Sequence, residues 1–385
     1  MKYKPDQIQT HEIKDATLEV GKFSKKVVHV EAGAPAKTDD TGLGYEQGSI
    51  WVDSSNGDMY ICTAHTAEDA TWQNMEGDDV NLNQFTAGSS TGFLMGGIGP
   101  GGTSDTIHTL SLTSDGDSVA TSDELTNTKY SNAGAKSSTY FFSAGDYGPG
   151  PGPNVAIDSY TISSPHTYGD WGEITVSTGS TANMASANND SSAWVVGGYP
   201  TGNDTIQKFD TSSASDTTDV GEYTVGIRNA VGVTDSISGY GYCMGGGDPS
   251  PANIDEIARF SLTSDGDASD VGDLTQSTGV TSGCPSESYA FCVEGIDPSA
   301  TDLNRLAWTS SGDATDVGEV SRVQNSAKQY PSIHNSTHWY QVGGYTHPAT
   351  AYADTIDKIA IAAPYPLTDV GEIASAEINQ AAASV

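Results

Sequence analysis

Basic residues are scarce in this chain: 16 Lys and Arg stand against 50 Asp and Glu, a formal charge of −34 over 385 residues. So acidic a surface repels phosphate backbones and anionic membranes and gathers cations, so nucleic acid is not an expected partner. Long apolar runs are missing too. Nothing approaches the ~20 residues a spanning helix needs, and membrane insertion is not expected. The opening MKYKPDQIQTHEIKD has no apolar core, so no secretory signal is expected. Four cysteines, Cys62, Cys243, Cys284 and Cys292, form no CxxC pair, which reads as free thiols made in a reducing cytoplasm. Charged residues are only 17% and hydrophobic ones 36%, which is not the disordered pattern of dense charge with little hydrophobicity.

Glycine is what the chain has in quantity, 44 of them, amid many Ser and Thr. Six segments align: FLMGG from Phe93, FFSAG from Phe141, WVVGG from Trp194, YCMGG from Tyr242, FCVEG from Phe291 and YQVGG from Tyr340. Their closing glycines, Gly97, Gly145, Gly198, Gly246, Gly295 and Gly344, are spaced by 48, 53, 48, 49 and 49. Each is followed by a second pattern, such as IQKFDT from Ile206 or IARFSL from Ile257, that alternates as a half-buried strand does. An acidic phrase then recurs, TSDGDASDVGDL at 263–274 and TSSGDATDVGEV at 309–320, with DVGE again from Asp219 and Asp369. With one more strand before the next aromatic residue, each unit holds four strands. This predicts an all-β fold, a six-bladed β-propeller over 81–385, whose closure into a ring removes the long exposed edges that make open repeats aggregate. Either NLNQFTAGS at 81–89 or EINQAAASV at 377–385 could supply the strand that closes it.

The acidic phrase reads as a blade part. TSDGDA is the turn from third to fourth strand, and DVGE the outermost strand, its acids guarding an open edge and its glycine suggesting a bulge. Asp265, Asp267 and Asp270 are also oxygen ligands of the calcium type. The spacing is not that of a helix-flanked calcium loop, and the copy at 309–320 has lost one carboxylate, so the structural turn is preferred.

Before the repeats, residues 41–80 predict a small β module: GSIWVD and MYICTA joined across Asn56-Gly57, a strong hairpin signal, with ATWQNM as a third strand. Trp51, Tyr60 and Trp72 would share its core. So small a unit is expected to pack on neighbours or self-associate, which makes a homo-oligomer the expected state. Residues 1–40 read as an arm that orders on a partner. Lys2, Lys4, Lys14, Lys22, Lys25 and Lys26 make residues 1–30 net positive, so they are the candidate anchoring residues.

Taken together, aromatic-x-x-Gly-Gly, Ile-x-x-aromatic-x-Leu and GDATDVGE resemble the kelch-like propeller proteins of tailed, particularly marine, phages, over roughly residues 85–385. The GSIWVDSSNGDMYICTA module is similar to small hairpin modules of phage tail-fibre and other virion proteins. The resemblance implies a virion structural protein, a tail fibre or appendage made in the host cytoplasm. It would be held to other virion proteins by its N-terminal arm and display a propeller for host recognition. The alternatives are a capsid decoration or head-fibre protein without a receptor role, and a propeller enzyme acting on surface sugars.

No GxxxxGKS or HExxH motif is present, and the five histidines of the propeller sequence, His108, His166, His334, His338 and His347, occupy non-equivalent blade positions, so no catalytic residue, metal or cofactor is expected. His334 and His338 share an i, i+4 spacing that converges only on a helix. The loops after the glycine-ending strands, such as DYGPGPGPNVA and YTHPATAYAD, are rich in Pro and Gly and present tyrosines. They suit recognition of a host glycan or protein, with Tyr147, Tyr199, His347 and Tyr352 as candidate receptor-binding residues.

Overall fold

The computed structural model describes residues 28–31, 35, 49–53, 59–66, 69–74, 90–130, 132–146, 154–163, 166–175, 181, 183–198, 203–247, 253–277, 279–294, 302–308, 312–319, 332–346, 351–373 and 381–384. The chain divides into two compact units, Met1–Val80 and Asn81–Val385.

In the first unit four strands pair in chain order: Val28–Glu31, Ile50–Asp53, Met59–Thr66 and Asp69–Asn74. The last three form the antiparallel hairpin and third strand that alternation predicted. The first, drawn from within residues 1–40, adds in parallel to Ile50–Asp53. Four residues are too few to show a period, which is why the sequence did not reveal it. Trp51 and Cys62 are buried, and the His29 ring lies 4.3 Å from Trp51. The six candidate anchoring lysines and the Asn56-Gly57 turn lie outside the described residues.

The second unit is a six-bladed β-propeller. Each blade is a four-stranded antiparallel sheet, read here from innermost to outermost strand. Blade 1 comprises Ala381–Ser384, Thr91–Gly99, Gly102–Ser111 and Val119–Lys129. Blade 2 is Ala133–Lys136, Tyr140–Asp146, Asn154–Thr161 and Tyr168–Glu173, and blade 3 is Ala185–Asn188, Ser192–Val196, Thr205–Asp210 and Thr218–Glu222. Blade 4 is Val231–Asp235, Tyr240–Met244, Glu256–Ser261 and Ser269–Asp273, and blade 5 is Val280–Pro285, Tyr289–Glu294, Asp302–Ala307 and Thr315–Glu319. Blade 6 is Ser332–His334, His338–Thr346, Ala351–Ala360 and Leu367–Glu372. The closing strand comes from the C-terminal segment, with Ala381 opposite Met95 and Ser384 opposite Gly92. The alternative at 81–89 lies outside the described residues.

The apolar core is divided among the junctions. Phe142, Trp171 and Phe209 pack between blades 2 and 3, and Trp194, Cys243 and Phe260 between blades 3 and 4. Glycines let the backbone turn at each second strand's end: Gly96, Gly197, Gly245 and Gly343 take φ of 57–73°, and Gly97, Gly198, Gly246 and Gly344 take 105–127°. Gly145, at φ 71°, matches the first set, so the alignment of blade 2 shifts by one residue from the sequence reading. Gly295 lies outside the described residues.

The structure gives every letter of DVGE a task. In blade 4, Asp270 Oδ1 accepts from the Gly272 N–H at 3.0 Å. Ile257 pairs with Gly272 and Ala258 with Asp270, so Val271 is the extra residue of a bulge and packs into the core between blades 4 and 5. A Cβ on Gly272 would meet the Gly312 carbonyl of blade 5 at 2.2 Å, so only glycine fits. The last acid joins the blades: Asp273 N–H donates to Asp313 Oδ1 at 3.2 Å, and Asp273 O accepts from Ala314 N–H at 2.8 Å. The same two-bond latch joins blade 3 to 4 (Glu222 with Asp267 and Ala268), blade 2 to 3 (Glu173 with Asp216 and Thr217) and blade 6 to 1 (Glu372 with Asp117 and Ser118). The last acid of the phrase thus ties the outer strands of blades 2, 3, 4 and 6 to the next blade's turn through its backbone N–H and C=O.

A cation on the third strand reinforces the latch where the next turn offers a carboxylate. Lys208 meets Asp265 at 3.1 Å and Lys358 meets Asp115 at 2.7 Å. Where the facing turn carries Tyr365 instead, Arg305 donates to its hydroxyl at 2.9 Å.

Candidate functional site

Antiparallel order gives the ring two different ends. Connections between second and third strands, and from each outer strand to the next blade, emerge at one end, here the loop end. The tight turns from first to second and third to fourth strands form the other, the turn end.

At the loop end, blades 1 and 6 carry the longest central strands among the described residues. Their central strands run nine and ten residues, against five and six in blades 3 and 4. In blade 1 the pairing continues past the glycines to Gly99 opposite Gly102, across Pro100 and Gly101. In blade 6 it continues to Tyr345 opposite Tyr352 and Thr346 opposite Ala351. Stretches that read as loops are thus β-hairpins, and ring closure sets these two blades side by side. Tyr352 stands in a strand, partly buried. Tyr147, Tyr199 and His347 lie outside the described residues.

Beneath this end, at the junction of blades 1 and 2, lies a polar network absent from the sequence reading. Lys129 Nζ sits 2.6 Å from Asp158 Oδ2, the side chains 0% and 2% exposed, and donates to the Ala156 carbonyl at 2.9 Å. Asn132 Nδ2 donates to Ser143 Oγ at 2.6 Å, and Asp146 Oδ1 accepts from the Tyr130 N–H at 2.8 Å. A signal for it does exist in the repeat. The residue after the third-strand Ile or Leu is His108, Asp158, Gln207, Ala258, Asn304 and Asp357, and all but Ala258 are buried polar groups. Strict alternation would expose that position, but a third strand has a blade against each face. Gln207 is answered by Thr217 Oγ1 at 2.6 Å and Asn304 by Thr275 Oγ1 at 3.0 Å.

The innermost strands line the axis in tiers. Gly134, Ser186, Gly232, Gly283, Ser332 and Ala382 share one register position. All are small because adjacent strands touch: a Cβ on Gly232 would meet Ser186 O at 2.0 Å. Ser186 and Ser332 bond across to the carbonyls of Gly134 and Gly283, at 2.8 and 2.7 Å. Two residues on, Lys136, Asn188, Thr234, Pro285, His334 and Ser384 form a second tier. Burial lowers the Lys136 pKa, against the pull of Asp190. Burial, aided by the Lys136 charge, lowers that of His334 from 6.5 to about 3, leaving it neutral.

Burial also pushes the Cys243 and Cys284 thiols far above their usual range, so neither is a thiolate nucleophile. His334 ends the innermost strand of blade 6 and His338 begins the second, its ring bonded to Thr337 Oγ1 at 2.8 Å. In the turn phrase, Asp265 and Asp267 are engaged by Lys208 and the Glu222 N–H.

No family model matches this chain, and no curated protein matches it. Among solved structures, one described as "Structure of YjhT" resembles it with a TM-score of 0.58 and 14% identity, covering 74% of this chain and 97% of that one. That likeness is one of fold.

Proposed function

We propose that this is a structural protein of a tailed-phage particle, a tail fibre or appendage. Other virion proteins hold it through residues 1–40, and the propeller meets a glycan or protein on the host surface. The observation that carries this reading is the pairing of a closed, latched ring with two adjacent projecting hairpins, in blades 1 and 6. Rigid elements on a stable scaffold bind with little loss of conformational entropy. A binding rather than catalytic role is supported by three buried polar side chains that are each already engaged by a neighbour: Lys129 by Asp158, Gln207 by Thr217, Asn304 by Thr275.

The test is adsorption. Alanine at Tyr147, Tyr199, His347 or Tyr352 should reduce binding to host cells while shifting stability by less than about 0.5 kcal/mol at exposed sites. Parental adsorption by all four would favour capsid decoration. Deleting residues 1–27, which spares the strand at Val28–Glu31, should leave both units folded and abolish incorporation into particles.

A further inference from the structure

A cleft of about 300 Å³ opens at the turn end between blades 4 and 5, walled by Asp235, Ile237 and Ser238 of one and Glu287, Tyr289 and Trp308 of the other. Its chemistry follows from Asp235. The residue at this position caps the turn into the second strand in other blades as well. Asn189 Oδ1 accepts from the N–H groups of Ser191 and Ser192, and Asn335 Oδ1 from those of Thr337 and His338. Both asparagines then donate their NH2 across the junction, Asn189 to Leu262 O at 3.0 Å and Asn335 to Leu112 O at 2.7 Å. Asp235 Oδ1 caps in the same way, accepting from Ile237 and Ser238 N–H at 3.1 Å each. Where the asparagines carry a donor, however, it carries a second anionic oxygen. That Oδ2 is buried without a hydrogen-bond partner, on a residue 1% exposed.

Capping needs only one acceptor, and serine suffices at Ser137 and Ser286. The blade 5 residue matching Leu262 and Leu112 is Trp308, whose N–H bonds Ser288 O as theirs bond Gly239 O and Ser90 O. A carboxylate oxygen cannot donate to its carbonyl, so the link that joins blade 3 to 4 and blade 6 to 1 is missing where the cleft opens. Arg259 is close enough to feel the Asp235 charge, but its guanidinium lies over the Tyr240 ring and reaches the Tyr242 hydroxyl.

We propose that this cleft binds a primary ammonium group on a short apolar stem. An ammonium brings three N–H donors and no acceptor, enough to meet Asp235 Oδ2 and the exposed Glu287 carboxylate together. Ile237, 51% exposed, gives the stem an apolar wall. Trp308, its indole N–H already held by Ser286 O at 2.7 Å, adds the ring type most attractive to a cation. Tyr289 is covered by Arg305, 4.4 Å from its ring. The −34 charge of the chain draws cations toward it.

The test titrates the full chain with n-butylammonium, Nα-acetyl-lysine methylamide, 1-butanol and methyl glucoside, read by tryptophan fluorescence and NMR shifts. The two amines should bind, more weakly as salt rises, and the two neutral compounds should not. Tighter binding of the lysine derivative would identify a partner protein's lysine as the source; equal binding would identify a free amine. Asp235→Asn should lose amine affinity at least tenfold while its melting temperature rises, since the new amide can donate across the junction as Asn189 and Asn335 do. Glu287→Gln should weaken binding severalfold at unchanged melting. Equal binding of butanol, binding of the glucoside in place of the amines, no amine binding, or parental affinity in both variants would overturn the proposal.

Discussion

Single residues decide how closely the blades approach. Gly232→Ala would drive a methyl to 2.0 Å from the Ser186 carbonyl oxygen and 2.4 Å from its nitrogen. Backbone cannot swing aside as a side chain can, so a loss of about 1–3 kcal/mol is expected from overpacking. Gly101→Ala, where a methyl meets nothing within 4 Å, should be nearly silent, and urea unfolding of the two variants checks the contrast. Lys129→Met would take the ammonium away from the buried Asp158 carboxylate, at about 3–5 kcal/mol. Adding Asp158→Leu should recover most of that, because two apolar residues leave no charge to desolvate. His334 gives a pH dependence of definite sign. Its folded pKa of about 3 lies below its ordinary 6.5, so the unfolded chain takes up the proton first and stability falls as pH drops from 6.5 toward 3. The slope between pH 6.5 and 5, above the ordinary carboxylate range, should flatten in His334→Gln, measured by urea unfolding across that window.

At the scale of the element, the acidic phrase is a joint. Asp267→Ala removes the acceptor of the Glu222 N–H and should cost about 1 kcal/mol, with Asp267→Asn costing less because its carbonyl oxygen still accepts. The neighbouring Lys208–Asp265 pair is exposed, and its loss should stay below about 1 kcal/mol. Gly221→Ala should be far worse than any of these, since its methyl would sit 2.3 Å from the Gly266 carbonyl. Thermal melting of the set ranks backbone approach, latch and ion pair. Two turns lack the phrase, SSPHTY in blade 2 and AAPYPL in blade 6, and among the described residues no such latch reaches them. Lys129–Asp158 ties blade 1 to blade 2 in its place, and Arg305–Tyr365 ties blade 5 to blade 6.

For the whole molecule, one short strand carries closure. Ala381–Ser384 pairs with Gly92–Met95, joining the two ends of the propeller sequence. Deleting residues 381–385 would uncover the edge of Thr91–Gly99 and separate blade 6 from blade 1. Melting should fall sharply, and the freed edge should promote aggregation, seen as high-mass species on gel filtration. Unchanged melting would mean that the latch of Glu372 to Asp117 and Ser118 holds the ring unaided.

The number of blades, their four strands, the order of those strands and the hairpin before them were determined by the sequence alone. Each rests on local physics, alternation of side chains across a sheet and turn residues with their own backbone preferences, and six copies of one pattern reinforce the reading. What only the tertiary structure decided are partnerships between distant residues. Glu372 meets Asp117 across 255 positions; Lys129 finds Asp158 only because blades 1 and 2 fold face to face; Asp235 keeps an unanswered oxygen in the cleft that blade packing leaves beside Trp308. A sequence records which groups need partners, but the meeting place is set by how the blades pack, and packing depends on all six together.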